Sequence, residues 1–126
     1  LYNTPPAFSI YMADLVLRDL KEKGGVKAMN EIGTYKANLL YDFIDNSSFY
    51  KNNVEPRYRS IMNVPFVTGD ADTDAKFVAE AKKNGLVSLK GHRLVGGMRA
   101  SIYNAMPVEG VKALIEFMKK FERENA

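Results

Sequence analysis

Residues 91–99 read Gly91-His92-Arg93-Leu94-Val95-Gly96-Gly97-Met98-Arg99, and they hold the only histidine and two of the six arginines. Arginine presents a planar fork that meets a carboxylate or a phosphate through two parallel hydrogen bonds. Arg99 stands among apolar residues, where an unpaired cation is costly. The glycines let backbone approach a ligand closely. Together these residues describe an anion pocket on a loop, the kind of segment that often carries binding residues. The plainer reading is a glycine-rich turn whose arginine pairs with a structural carboxylate. No nucleotide fingerprint is present, neither G-x-G-x-x-G nor a Walker lysine.

Asn3-Thr4-Pro5-Pro6 is the second candidate. Thr4 suits a helix N-cap, and proline is tolerated at a first helical position. A phosphate contact is the functional alternative. The two prolines remove amides that normally make a helix start an anion site. A phosphate there would use the Asn3 and Thr4 side chains and the Thr4 amide. Lys90, beside His92, reads as solvated or backbone-capping. Met62-Asn63-Val64-Pro65-Phe66 reads as a core strand, and Tyr103-Asn104 as a strand end and turn.

The elements that must position these groups follow from periodicity. Helical spacing predicts a first helix with Phe8, Tyr11, Met12, Leu15, Val16 and Leu20 on its apolar face, stopped at Gly24-Gly25. Ile10 and Leu17 widen that face, so burial on more than one side is expected. A second helix is predicted over 26–46, with Met29, Ile32, Leu39, Leu40, Phe43 and Ile44 inward. Strands are expected over 60–68, 86–89 and 98–103, and Pro65 marks the first of these as an edge strand or a bulge. A short helix is expected over 73–84, with Phe77, Val78 and Ala81 inward and Gly85 as its cap. A last helix starts at Pro107, with Val108, Val111, Leu114, Ile115, Met118 and Phe121 inside. The order is ααβαββα, a two-layer α+β arrangement with helices on one face of a short, mainly antiparallel sheet.

Composition narrows the function classes. The chain has 126 residues, 46% hydrophobic and 26% charged, about one domain with enough apolar content for a core. There are no cysteines, which rules out disulfides, thiolate nucleophiles and cysteine zinc sites within it. One histidine excludes a histidine-rich metal centre. The formal net charge is +3, and the basic residues are interspersed with acidic ones, unlike the one-sided patch of a nucleic-acid binder. No run approaches the length of a membrane span. The first residue is leucine and no signal-peptide pattern follows. The chain is therefore read as one piece of a longer, cytoplasmic protein. The excess apolar surface of the first two helices fits that reading.

Taken in order, these stretches resemble the C-terminal third of the phosphoserine aminotransferases, class-V pyridoxal-phosphate enzymes of the aspartate-aminotransferase fold. The resemblance covers the whole chain. It runs through Asn3-Thr4-Pro5-Pro6-Ala7-Phe8-Ser9-Ile10-Tyr11, Tyr41-Asp42-Phe43-Ile44-Asp45 and Arg59-Ser60-Ile61-Met62-Asn63-Val64-Pro65-Phe66. It continues through Leu89-Lys90-Gly91-His92-Arg93 and Gly96-Gly97-Met98-Arg99-Ala100-Ser101-Ile102-Tyr103-Asn104-Ala105. The implied organisation is residues 1–24 as the end of a large domain with its connecting helix, and 25–126 as the small domain. The implied reaction is transamination between 3-phosphohydroxypyruvate and glutamate, giving phosphoserine and 2-oxoglutarate. It serves serine synthesis and, in bacterial relatives, also vitamin B6 synthesis.

The resemblance also implies roles. Asn3 and Thr4 match residues that hold the cofactor phosphate of the other subunit in a homodimer. Arg99 matches the arginine that binds the substrate α-carboxylate. His92 and Arg93 match residues near the substrate's phosphate or side-chain carboxylate. Two positions depart from the family pattern, Ala7 for a serine or threonine and Leu94 for a serine, and neither replaces a ligand group. No lysine here occupies the family's cofactor-lysine motif, which lies upstream with the ring-stacking aromatic and the acid facing the pyridine nitrogen. The chain alone is therefore expected neither to bind cofactor stably nor to transaminate. The alternative is a stand-alone anion-binding or regulatory module that reuses this domain.

Overall fold

The computed structural model describes residues 2–126. Its elements are α1 (Ala7–Glu22), α2 (Gly25–Asn46), a 3-10 turn at Pro56–Tyr58, β1 (Asn63–Phe66), α3 (Ala71–Lys83), β2 (Met98–Ser101) and α4 (Val108–Asn125). They divide into two compact units, one running through Ile32 and the other Gly33–Ala126.

In the first unit, α1 buries none of its residues. Phe8, Ile10, Tyr11, Met12, Leu15, Val16 and Leu17 are all exposed, against the expectation of a helix covered on more than one side. The periodicity is that of a covered helix, but nothing within its own unit covers it. Thr4 does not cap this helix. The N-cap position is Pro6, without a side-chain hydrogen bond.

The second unit carries the core. β1 and β2 pair antiparallel, with Val64 opposite Ala100 and Pro65 opposite Arg99. The Ile102 amide donates to the Met62 carbonyl at 2.8 Å, which makes 62–102 and 64–100 the hydrogen-bonded pairs and leaves Pro65 at a non-bonded position. Its missing N–H therefore faces away from β2. Single bridges extend the sheet on both sides, Lys51 to Val67 beyond β1 and Lys90 to Met98 beside β2. Residues 86–89 do not form the expected strand, because Ser88 adopts φ 63°, a left-handed conformation that breaks extended backbone. The observed order is thus ααβαβα.

Val64, Phe66, Met98 and Ala100 turn inward and are buried with Phe77 and Ala81 of α3 and Val111, Leu114, Met118 and Phe121 of α4. Phe77 lies at its centre, with edge-on contacts to Tyr50, Phe66, Phe117 and Phe121 at centroid separations of 5.0–6.0 Å. The buried stripe of α2 runs through Gly33, Lys36, Ala37, Leu40, Tyr41 and Ile44. It is rotated from the expected one: Leu39 and Phe43 flank the core, half-buried, and Ile32 is exposed. α3 begins two residues earlier than predicted because Asp70 caps it, its carboxylate accepting from the Thr73 amide at 2.8 Å.

Candidate functional site

The 91–99 stretch is the tip and return of a hairpin. The Arg99 amide donates to the Leu89 carbonyl at 2.7 Å and the Gly91 amide to the Gly97 carbonyl at 2.8 Å. The tip is closed by Val95 and Gly96, whose amides both donate to the His92 carbonyl. Gly97 has φ 63°, and a Cβ there would lie 2.6 Å from Val67 and 2.9 Å from the Phe66 carbonyl oxygen. Gly91 is closer still, since a Cβ would collide with the Gly96 carbonyl oxygen. Here the glycines serve chain-to-chain approach.

This hairpin tip overhangs the start of α3 and leaves a hollow of about 450 Å³. Lys90, His92 and Arg93 line one side, and Ala71, Asp74, Ala75 and Val78 of α3 the other. The Asp74 carboxylate adds one negative charge to the lining, its Oδ1 accepting from the Thr68 amide and hydroxyl, each at 2.8 Å. The Leu94 amide donates to His92 Nδ1 at 3.3 Å. With Nδ1 accepting, the neutral ring carries its proton on Nε2, which is left as a donor. His92 and Arg93 are both exposed. The hollow offers an anion a guanidinium, an ammonium and an imidazole N–H.

Arg99 does not line this hollow. It sits on the outer face of the sheet, opposite Pro65 and in the same row as Ser101. Its Nε is buried and has no hydrogen-bond partner among the described residues. The hydroxyl groups of Ser101 and Tyr103 converge on Asn63 Oδ1, at 3.1 and 3.2 Å. The three expected cations thus divide, His92 and Arg93 at the hairpin tip and Arg99 on the sheet. Asn3 and Thr4 belong to the other unit. Both are exposed, and neither makes a hydrogen bond among the described residues. The Ala7 amide is spent on the Pro5 carbonyl at 2.8 Å. No cluster of metal-ligating side chains occurs among the described residues.

Lys36 was not anticipated. Its side chain is buried, and its Nζ donates to the carbonyls of Tyr103 and Met106 at 2.7 and 2.8 Å. Burial pushes its pKa below the ordinary lysine value. The available signal was its place in the row Gly33, Lys36, Leu40 and Ile44, where a helix turns one face inward.

The model of the class-V aminotransferases matches residues 1–114. The chain belongs to the class-V aminotransferase family. Within it, the chain is 58% identical over 125 residues to a phosphoserine aminotransferase of Bacillus cereus, a match covering 99% of this chain and 35% of the relative. A phosphoserine aminotransferase of Histophilus somni gives the same figures. Among solved structures, that of the Bacillus circulans subsp. alkalophilus phosphoserine aminotransferase superimposes with a TM-score of 0.96 at 45% identity, over 99% of this chain and 35% of the other. A pyridoxal-phosphate-bound phosphoserine aminotransferase of Trichomonas vaginalis gives 0.87 at 45% identity, over 94% and 34%. This class-V chain therefore spans about a third of the length of the relatives it matches, and its mixed helix and small-sheet fold is that of their C-terminal portion. No helix among the described residues is long and apolar enough to cross a membrane.

Proposed function

We propose that this chain is the substrate-gripping part of a phosphoserine aminotransferase. It acts in the pyridoxal-phosphate-dependent exchange of an amino group between glutamate and 3-phosphohydroxypyruvate, giving phosphoserine and 2-oxoglutarate. Residues 1–24 close a large domain and connect it to the small domain, 25–126. The enzyme works as a cytoplasmic homodimer in serine synthesis, and in bacteria also in vitamin B6 synthesis.

The observation that carries this reading is Arg99, whose guanidinium has a buried donor without an acceptor on a strand held from both sides. A buried donor left unmade costs about 1–3 kcal/mol, and a carboxylate relieves it with a charge-assisted bond. The α-carboxylate is common to both substrates, so one fixed fork serves both half-reactions. His92 and Arg93 take the far end of the substrate, phosphate in one case and carboxylate in the other. An exposed hairpin tip can shift to suit either length.

When bound, pyridoxal phosphate supplies the electron sink for transamination. Asn3 and Thr4 suit its phosphate because the amide and hydroxyl groups of their side chains are unengaged. None of the twelve lysines stands in the family's cofactor-lysine motif, so the chain by itself is inactive.

The test has two arms. In the enzyme carrying this chain, Arg99→Ala raises KM for glutamate and for the phosphorylated oxo acid by about 100-fold, the loss of a strong bidentate ion pair. The isolated chain, mixed with pyridoxal phosphate and borohydride, retains no pyridoxyl group on any lysine. Unchanged KM values in the first arm, or stoichiometric labelling of one lysine in the second, would sink the reading.

A further inference from the structure

Lys36 is 1% exposed, yet no carboxylate lies within ion-pair distance of it among the described residues. Its ammonium is held by two carbonyls alone. Taking an ammonium out of water without a counter-ion is costly, and an apolar side chain of similar volume often stabilises a fold as well. The fold therefore gains little from the charge. What the lysine does hold is one turn.

That turn runs from Tyr103 to Met106, closed by the Met106 amide on the Tyr103 carbonyl at 2.9 Å. All four of its residues are exposed, so water could satisfy both carbonyls if the lysine were absent. The turn lies just past the four-residue strand β2. At the start of that strand, Gly91–Gly97 and Leu89–Arg99 hydrogen bonds clamp the chain. At its end the backbone is tied by Ile102 to Met62 and then by Lys36. Tyr103 is tied twice, its carbonyl to Lys36 from beneath and its phenol to Asn63 from the outer face, where Ser101 also bonds. Arg99 shares that face with Ser101.

We propose that Lys36 is a positioning residue for the α-carboxylate site: its buried ammonium fixes the turn that ends β2 and so sets where Arg99 presents its guanidinium. The inference rests on the reading of Arg99 given above. Lys36 touches no substrate. It acts through backbone, from a helix on the inner side of the sheet.

The experiment compares Lys36→Met and Lys36→Gln with the unsubstituted enzyme, alone and combined with Arg99→Ala. Lys36→Met raises KM for glutamate and for the phosphorylated oxo acid by the same factor, about tenfold, a displacement effect smaller than that of a full ångström. kcat changes less than about twofold, because the carboxylate grip is equal in ground and transition states. Lys36→Gln, which keeps a donor, recovers part of the loss. On the Arg99→Ala background Lys36→Met adds nothing, a non-additivity that a merely structural lysine would not produce.

Additive effects, a rise in KM for only one substrate, or unchanged kinetics overturn the proposal. So does unfolding of both variants, which would make Lys36 a residue of the fold. If the unsubstituted enzyme fails to transaminate these substrates, it is the functional reading that has failed, not the positioning role.

Discussion

Arg59 closes on Asp45 with both prongs of its guanidinium, Nη1 to Oδ2 at 2.6 Å and Nη2 to Oδ1 at 2.8 Å. The same guanidinium lies 4.7 Å over the ring of Tyr41, and its Nε donates to the Val54 carbonyl at 3.3 Å. Tyr41 in turn donates to the Ser60 carbonyl at 2.9 Å. Burial raises the Tyr41 pKa, so the phenol stays protonated and keeps donating. One arginine thereby fastens the long connection before β1 to helix α2.

This pair gives a pH dependence with a definite sign. The hydrogen bonds from Arg59 hold the Asp45 carboxyl below its ordinary value of 3.8. Its stabilisation is complete above that value and is lost as pH falls through the lowered one. Asp45 is half exposed, so solvent screening limits the pair to about 0.5–1 kcal/mol near neutrality. Urea unfolding of Asp45→Asn should show that deficit at pH 7 and converge with the unsubstituted chain only as pH falls through the lowered value.

Phe77→Ala should be the most damaging single truncation in the core. Its ring is fully buried and touches four other aromatic rings. A loss of about 3–5 kcal/mol is expected from transfer and cavity terms together. Denaturant titration measures it, and a cost below about 1 kcal/mol would contradict this picture of the core.

Two glycines of the hairpin should respond differently to alanine. At Gly96 the φ is 78° but nothing lies within 4 Å of a Cβ, so Gly96→Ala pays only backbone strain, about 1 kcal/mol. At Gly91 the new methyl group meets the Gly96 carbonyl and the hairpin must open. In the aminotransferase proposed above, Gly91→Ala should therefore raise KM for the phosphorylated substrate well beyond the effect of Gly96→Ala. Steady-state kinetics of the two variants side by side decide it.

In that proposed enzyme, His92→Ala should weaken the phosphorylated substrate more than glutamate. The Leu94 amide takes Nδ1, which leaves Nε2 of the neutral ring as the available donor, and a phosphate offers more acceptor oxygens than a carboxylate. An effect of about tenfold on one KM and about twofold on the other is expected from one hydrogen bond to a charged group. Equal effects would remove His92 from the far end of the substrate.

Much of this architecture is legible in residue order. Val111, Leu114, Ile115, Met118 and Phe121 repeat at helical spacing, and α4 buries all five. Phe77 and Ala81 are likewise inward in α3. Residues 86–89 have strand-like composition, but a single left-handed residue, Ser88, defeats it, and serine gives no warning of that. Thr4 has the chemistry of a cap, yet two prolines after it place the helix start beyond its reach. Lys36 was hidden because a lysine in a helix normally marks the wet side. Its acceptors lie 67 and 70 positions away in the chain, a separation no local pattern encodes. His92 and Arg93 are adjacent and meet at one hollow, whereas Arg99, two positions past Gly97, is carried by the pleat onto the outer face of the sheet.

The orientation of Pro65 has a consequence for how copies of this chain meet. β1 and β2 are both rim strands, and a rim with a full row of free donors can recruit a neighbour's backbone and grow into a fibril. At Pro65 the outward donor is missing, and the adjoining carbonyl is already occupied by the Asn52 amide at 2.7 Å. Lys51 takes both backbone groups of Val67 just beyond. An approaching strand finds no zipper to close, and the small sheet is insulated against polymerisation along that rim.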